Sequence, residues 1–233
     1  LDNDREKVTL LRRGIAPFYE PELQETLGRV LGTKRLIVVD NYEEAIRTSD
    51  ITFVTVGTPT NPDGSGNLDQ VKAACSSIGS ALKKRSGYNL VVVRSTVTPG
   101  STQHIVKPFL ESTSGKLCGT HFGLCVNSEF LREGRAVYDM LNPDRIVIGE
   151  YDKESGDVLE KFYTSFYGER MPPLLRTTPA NAELIKYANN AFLATKVSFI
   201  NSIANLCERI PGADVEVIAK GIGGRVILID PLA

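Results

Sequence analysis

The chain lacks a charge excess of either sign, with 27 basic residues against 28 acidic ones in 233. That balance argues against a large basic surface for nucleic acid or an anionic membrane. Long apolar runs are missing too, since none approaches the roughly 20 residues that span a bilayer. The charged opening LDNDREKV is not a secretory signal. Cysteine is scarce: Cys75, Cys118, Cys125 and Cys207 form no C-x-x-C pair, so their spacing suggests neither a zinc site nor a disulfide framework. Each reads as a small buried hydrophobe. There is no internal repeat and no low-complexity segment. The expectation is a reduced, cytoplasmic protein with no metal, no nucleic acid and no membrane among its partners.

What is present is an alternation of short apolar runs and helical patterns. LIVVD (36–40), ITFVTVG (51–57), NLVVVRST (89–96), LCVN (124–127) and RIVIGE (145–150) read as strands. REKVTLLRRG, the short YEEAIRTSD and LDQVKAACSSIGSALKKR (68–85) read as helices. Near-continuous apolar strands separated by helices predict an α/β, doubly wound (Rossmann-like) mostly parallel sheet covered on both faces. After Gly168, ERMPPLLRTTPAN reads as an irregular linker. A long helix over 182–210 follows, with Thr178 as cap, Pro179 in the first turn and Pro211-Gly212 as the stop. This divides the chain into a dinucleotide-binding domain, 1–172, and a central helical or dimerisation domain, 173–233.

At about 100° per residue, Lys186, Asn190, Leu193, Val197 and Asn201 share one stripe of the long helix. Ala188, Phe192, Phe199 and Leu206 lie opposite. A helix apolar nearly all round is normally buried, and buried polar groups need partners. The stripe is therefore expected to face a cleft, with Lys186 and Asn190 able to donate to one developing oxyanion; an exposed lysine is the plainer alternative.

Ligands of a doubly wound sheet sit at the carboxyl ends of its strands. Three such ends carry polar loops. VGTPT (56–60) holds a tight turn at Gly57 and Pro59, RSTVTPG (94–100) presents Ser95 and Thr96, and NSEFLREG (127–134) carries Glu129 and Glu133. Asn127 or Ser128 can cap a helix that has both glutamates in its first turns. Carboxylates there serve either the helix dipole or a ligand. Leu1-Asp2 reads as the tail of a further strand, where an acid binds the adenosine ribose of a dinucleotide unless it is merely solvated; Lys7 could reach the phosphates.

Five segments together resemble the UDP-glucose/GDP-mannose dehydrogenase family, and more closely its UDP-glucose 6-dehydrogenase branch. They are LDNDREKVTLLRRGIAPFYEPEL, FVTVGTPT, VVVRSTVTPG, NSEFLREGRAVYDMLNPDRIVIG and ELIKYANNAFLATKVSFINSIANLCERIPGADVEVIAKGIG. The resemblance implies oxidation of a nucleotide sugar, UDP-glucose foremost, from C6 alcohol to carboxylate by two hydride transfers to NAD. It implies catalytic roles for Thr96 (positioning a water), Glu129 (acid/base) and the oxyanion-stabilising pair Lys186 and Asn190. It implies a cofactor site containing Asp2, Lys7, Thr58, Pro59, Ser95 and Glu133, and a homodimer through the 182–210 helix.

The 233 residues contain neither the G-x-G-x-x-G turn of such enzymes nor the strand before it, and none of the four cysteines has the context of the family's nucleophile. The polypeptide is accordingly expected to resemble the N-terminal and central parts of such an enzyme, truncated at both ends and inactive as given. Its open strand edges are expected to make it poorly soluble unless paired. Two other readings stand beside this one: a β-hydroxyacid dehydrogenase of 6-phosphogluconate type, and a non-catalytic dimerisation or nucleotide-binding fragment.

Overall fold

Helices precede the first strand in the computed structural model, which describes residues 1–223. The stretch 224–233, the end of the expected second domain, lies outside the described residues. Helices α1 (Arg5–Arg12), α2 (Leu23–Gly32) and α3 (Tyr42–Thr48) come first, then β1 (Ile51–Val54), α4 (Asp69–Lys84) and β2 (Leu90–Val93). A π-helical turn, Thr102–Val106, runs into α5 (Lys107–Ser114), followed by β3 (Gly123–Val126), α6 (Ala136–Leu141), β4 (Ile146–Glu150) and α7 (Lys153–Tyr167). Strand β5 (Leu174–Thr177), the long α8 (Pro179–Cys207) and α9 (Val215–Gly223) complete the described chain. It divides into two compact units, Leu1–Lys186 and the residues from Tyr187 onward.

The sheet of the first unit has the order β1-β2-β3-β4-β5, parallel throughout except where β4 runs against β3. Alternation along the central strands sends side chains to opposite faces. Val91 and Val93 of β2, with Leu124 and Val126 of β3, join Val71, Ala74, Cys75, Ile78 and Leu82 of α4. Leu90 and Val92, with Cys125 and Ile148, join Leu159, Tyr163 and Tyr167 of α7. The apolar residues of α4 recur at three- and four-residue spacing, so one face of that helix is buried along its length. A fully buried Val, Leu or Ile side chain contributes about 1.5–3 kcal/mol, which makes these two layers the main source of stability. Both faces are covered, as the strand pattern predicts.

Gly149 places α8. A Cβ there would lie 2.8 Å from Pro179 Cα and 3.0 Å from the Thr178 carbonyl oxygen, both backbone atoms. Only glycine lets the helix start so close to β4. Thr178 acts as the expected cap, its hydroxyl accepting from the Asn181 amide at 3.3 Å.

Four expectations need correction. The 36–40 run is not a strand: Ile37 is 75% exposed, and none of the described strands pairs with the segment. Its backbone amides and carbonyls have no ladder to join, so the apolar pattern alone does not make it extended sheet. The supposed linker contains β5, an edge strand parallel to β4. Its flanking prolines hid it, though an edge tolerates proline; the Pro173 carbonyl accepts from the Ile146 amide at 2.9 Å. Segment 127–135 is not helical, and α6 begins only at Ala136. Lastly, α8 ends at Cys207, and it is not buried along its length. Its buried residues are Ala182, Glu183 and Lys186, whereas in the second unit Phe192, Leu193, Val197, Phe199 and Leu206 are exposed. Among the described residues no helix is long and apolar enough to cross a membrane.

Candidate active site

Strands β1, β2 and β3 finish level with one another, with Val54 paired to Val93 and Val93 to Val126. The three polar loops therefore leave the sheet side by side. Hydroxyls tie the first two together. Ser95, buried, donates to the Val56 carbonyl at 2.6 Å, and Thr58 donates to the Thr96 carbonyl at 2.8 Å. Thr96 is half-buried between these anchors. The Ser95 hydroxyl is committed to backbone, so at this position the loop offers a ligand mainly its main chain.

The third loop is shaped by Asn127. Its amide nitrogen donates to the Val147 carbonyl at 2.9 Å, while its oxygen accepts from Arg94 at 2.7 Å and from the Tyr163 hydroxyl. A side chain spent on holding β2, β4 and α7 together is not free to cap a helix, and the loop is irregular. Glu129 turns back on its own loop, one oxygen accepting from the Leu131 amide at 2.5 Å. Its other oxygen faces Lys186, whose ammonium lies 3.1 Å away and also donates to the Glu129 carbonyl at 2.5 Å. The lysine is only 5% exposed, so the plainer alternative of a solvated lysine is set aside. Its ammonium has three N–H groups, and among the described residues two of its contacts go to Glu129.

The far half of the loop is clamped separately. Arg132 grips Asp139 through its guanidinium at 2.6 and 2.9 Å and through its amide at 3.0 Å. The guanidinium holds the Asp139 carboxyl down to about 2, so the clamp persists at any neutral or mildly acidic pH. Phe130 lies between two cations, with Arg145 4.3 Å and Lys186 5.4 Å from its ring centre. Glu133 is exposed, beside Gly134 at φ 78°. Glu129 and Glu133 thus occupy different surroundings and do not share a helical face.

At the start of the chain, Asp2 is half-buried and accepts from the Asp4 amide at 2.9 Å. Lys7 is exposed, 3.9 Å from Asp4. Pro59 is exposed, its carbonyl accepting from the Asn67 amide at 2.8 Å. Gly57 is instructive. Its φ is not in the left-handed region, and a Cβ would meet only the Gln70 side chain at an ordinary 3.5 Å. Neither backbone strain nor packing among the described residues demands glycine there, so bare backbone at this strand end fits close approach of a ligand such as a dinucleotide. Asn190 belongs to the second unit and is exposed. Burial pushes the Cys75 and Cys118 thiols up to about 12 and Cys125 higher still, so these three are packing groups and not nucleophiles. Among the described residues no group of three or more His, Cys, Asp or Glu could hold a metal ion.

Sequence reasoning missed two buried glutamates, Glu20 and Glu183, that touch these loops. The available signals were faint. Glu183 lies three residues before Lys186, and Glu20 sits in the proline-flanked PFYEPEL.

Comparison with known proteins matches residues 1–167 to the NAD binding domain of the UDP-glucose/GDP-mannose dehydrogenase family and residues 180–227 to its central domain. The chain is 40% identical over 228 residues to a GDP-mannose 6-dehydrogenase of Pseudomonas syringae pv. tomato, covering 98% of this chain and 49% of that protein. It is 42% identical over 223 residues to a UDP-glucose 6-dehydrogenase of Rickettsia bellii, covering 96% of this chain and 49% of that one. A ternary-complex structure of GDP-mannose dehydrogenase from Pseudomonas aeruginosa is similar with a TM-score of 0.93 at 38% identity, over 98% of this chain and 51% of that one. The chain spans about half the length of these relatives. The domain matched over most of the chain is one that takes NAD as its cofactor. With most of its length matched by the two domains of one family, the chain belongs to the UDP-glucose/GDP-mannose dehydrogenase family of nucleotide-sugar dehydrogenases.

Proposed function

We propose that this chain forms the NAD-binding part and the start of the central part of an enzyme that oxidises UDP-glucose to UDP-glucuronate in two steps and four electrons. The observation that carries the reading is the buried Lys186 ammonium joined to Glu129 at the end of β3. Domain limits of 1–172 and 173–233, and a cytoplasmic location, go with it.

NAD supplies the hydride acceptor for each step. Asp2 would hold the adenosine ribose, Lys7 the phosphates, and Thr58, Pro59, Ser95 and Glu133 the rest of the cofactor. Glu129 would take the proton of the C6 hydroxyl as its carbon gives a hydride to NAD and, in the second step, the proton of the water that adds to that carbon; Thr96 would orient that water. The Lys186 ammonium would meet the oxygen on which charge develops, with Asn190 as the second donor expected from the family resemblance. The exposed apolar side chains Phe192, Leu193, Val197 and Phe199 suit a homodimer contact through α8.

The test measures NADH formation with UDP-glucose, GDP-mannose and a small β-hydroxyacid. It uses this chain and a version extended at both ends with the matching segments of the Rickettsia bellii relative. Turnover of UDP-glucose in the extended form, at two NADH per sugar, supports the proposal. Turnover of GDP-mannose alone would change the substrate. Turnover of the hydroxyacid alone, or of nothing, would overturn the reading.

A further inference from the structure

Each of two buried carboxylates grips a pair of backbone amides in a site loop. Glu183, 1% exposed in the first turns of α8, accepts from the Gly100 amide at 2.5 Å and the Thr102 amide at 2.8 Å. Glu20, 9% exposed in the loop between α1 and α2, accepts from the Ala136 amide at 2.7 Å and the Gly134 amide at 3.1 Å. Among the described residues neither carboxylate has a cation within ion-pair distance. A buried carboxylate without a counter-ion is costly unless its oxygens accept strong hydrogen bonds. Here every such bond goes to main chain of the loops that carry Thr96 and Glu129 or to the first residue of the helical segment that follows each loop.

The two grips have a common geometry. Glu183 ties the end of the loop after β2, and the π-helical turn it leads into, to the same turn of α8 that bears Lys186, three residues on, and Lys186 ties the acid loop to that turn through Glu129. Glu20 fixes the other end of the acid loop, just past Glu133. Between its ends that loop lies over a cavity of about 160 Å³ lined by Arg94, Asn127, Phe130, Asp139 and Tyr163, so packing alone does not set its position. We propose that Glu183 and Glu20 are positioning residues: they hold the loops of Thr96 and Glu129 in one frame with Lys186. The inference rests on the reading of those three residues as the reacting groups.

Glutamine at either position keeps the shape but offers one carbonyl and turns an NH₂ donor towards the second amide. On this chain, hydrogen exchange at the Gly100 and Thr102 amides is expected to rise about tenfold or more in Glu183→Gln, and at Gly134 and Ala136 in Glu20→Gln, with the β2 amides unchanged. In the extended, active form each variant is expected to lose about 10- to 100-fold in kcat, with the KM for NAD within about twofold of wild type. Should a glutamine variant fail to fold, Glu183→Asp or Glu20→Asp replaces it, with the same amides quickened and kcat partly restored. Unchanged exchange at the four amides overturns the proposal, and so does quickened exchange with undiminished kcat. If the wild type oxidises no sugar nucleotide, the proposed function fails; the exchange pattern then still decides whether the carboxylates hold the loops.

Discussion

Residues 36–40, LIVVD, and the strand β2, LVVV, are almost the same words, yet their fates are opposite. Every side chain of β2 is fully buried, with pairing strands on both flanks. In 36–40 the described chain forms no strand, Ile37 is 75% exposed, and long polar contacts hold the segment, such as Arg12 to the Val38 carbonyl at 3.4 Å. Intrinsic β preference is weak, and what makes a strand is a neighbour that takes its hydrogen bonds. Helix α8 repeats the lesson: its first two turns are gripped by the sheet domain, and its later apolar residues are exposed.

The sharpest way to break this comparison is to place the same charge in both runs. Val92→Asp buries an unpaired carboxylate in the sheet and is expected to cost more than about 4 kcal/mol, enough to abolish the urea transition. Ile37→Asp is expected to stay within about 0.5 kcal/mol of wild type and to improve solubility. A smaller effect is expected at the contact that seats α8. Gly149→Val forces the helix start away from β4 and should cost about 1–3 kcal/mol by the same measurement.

The mildest test compares thiols. Cys75, Cys118 and Cys125 are buried, whereas Cys207 is half-buried at the end of α8. A thiol reagent at pH 8 is expected to modify Cys207 readily and the other three only on unfolding. Thiols held at about 12 in the fold return to about 8.5 when unfolded, so the unfolded state loses its protons first. Stability should therefore fall as pH rises from about 8.5 towards 12. A stability flat over that range would contradict the burial of these groups.

Much of the fold was legible because the buried strands are near-continuous apolar runs and α4 repeats apolar residues at three- and four-residue spacing. Lys186 and Glu129 were each legible as candidates through the helical stripe, the strand-end rule and the family resemblance, but the sequence paired Lys186 with Asn190, and its contact with Glu129 came from the structure. The rest depended on contacts that spacing does not encode. The acid loop is irregular, with Asn127 spent on Val147, Arg94 and Tyr163. Strand β5 is on an edge, only partly buried and proline-flanked. Glu20 and Glu183 read as ordinary surface acids until the amides they hold are seen.

The proposed function has Lys186 and Glu129 acting on the sugar as one unit. A double-mutant cycle in kcat on the extended, active form tests it, with Lys186→Met, Glu129→Gln and the two combined. Each single change is expected to lower kcat about 100-fold or more, and the double change no further than the worse single one. Losses that multiply in the double variant, or a Lys186→Met enzyme with wild-type kcat, would contradict it.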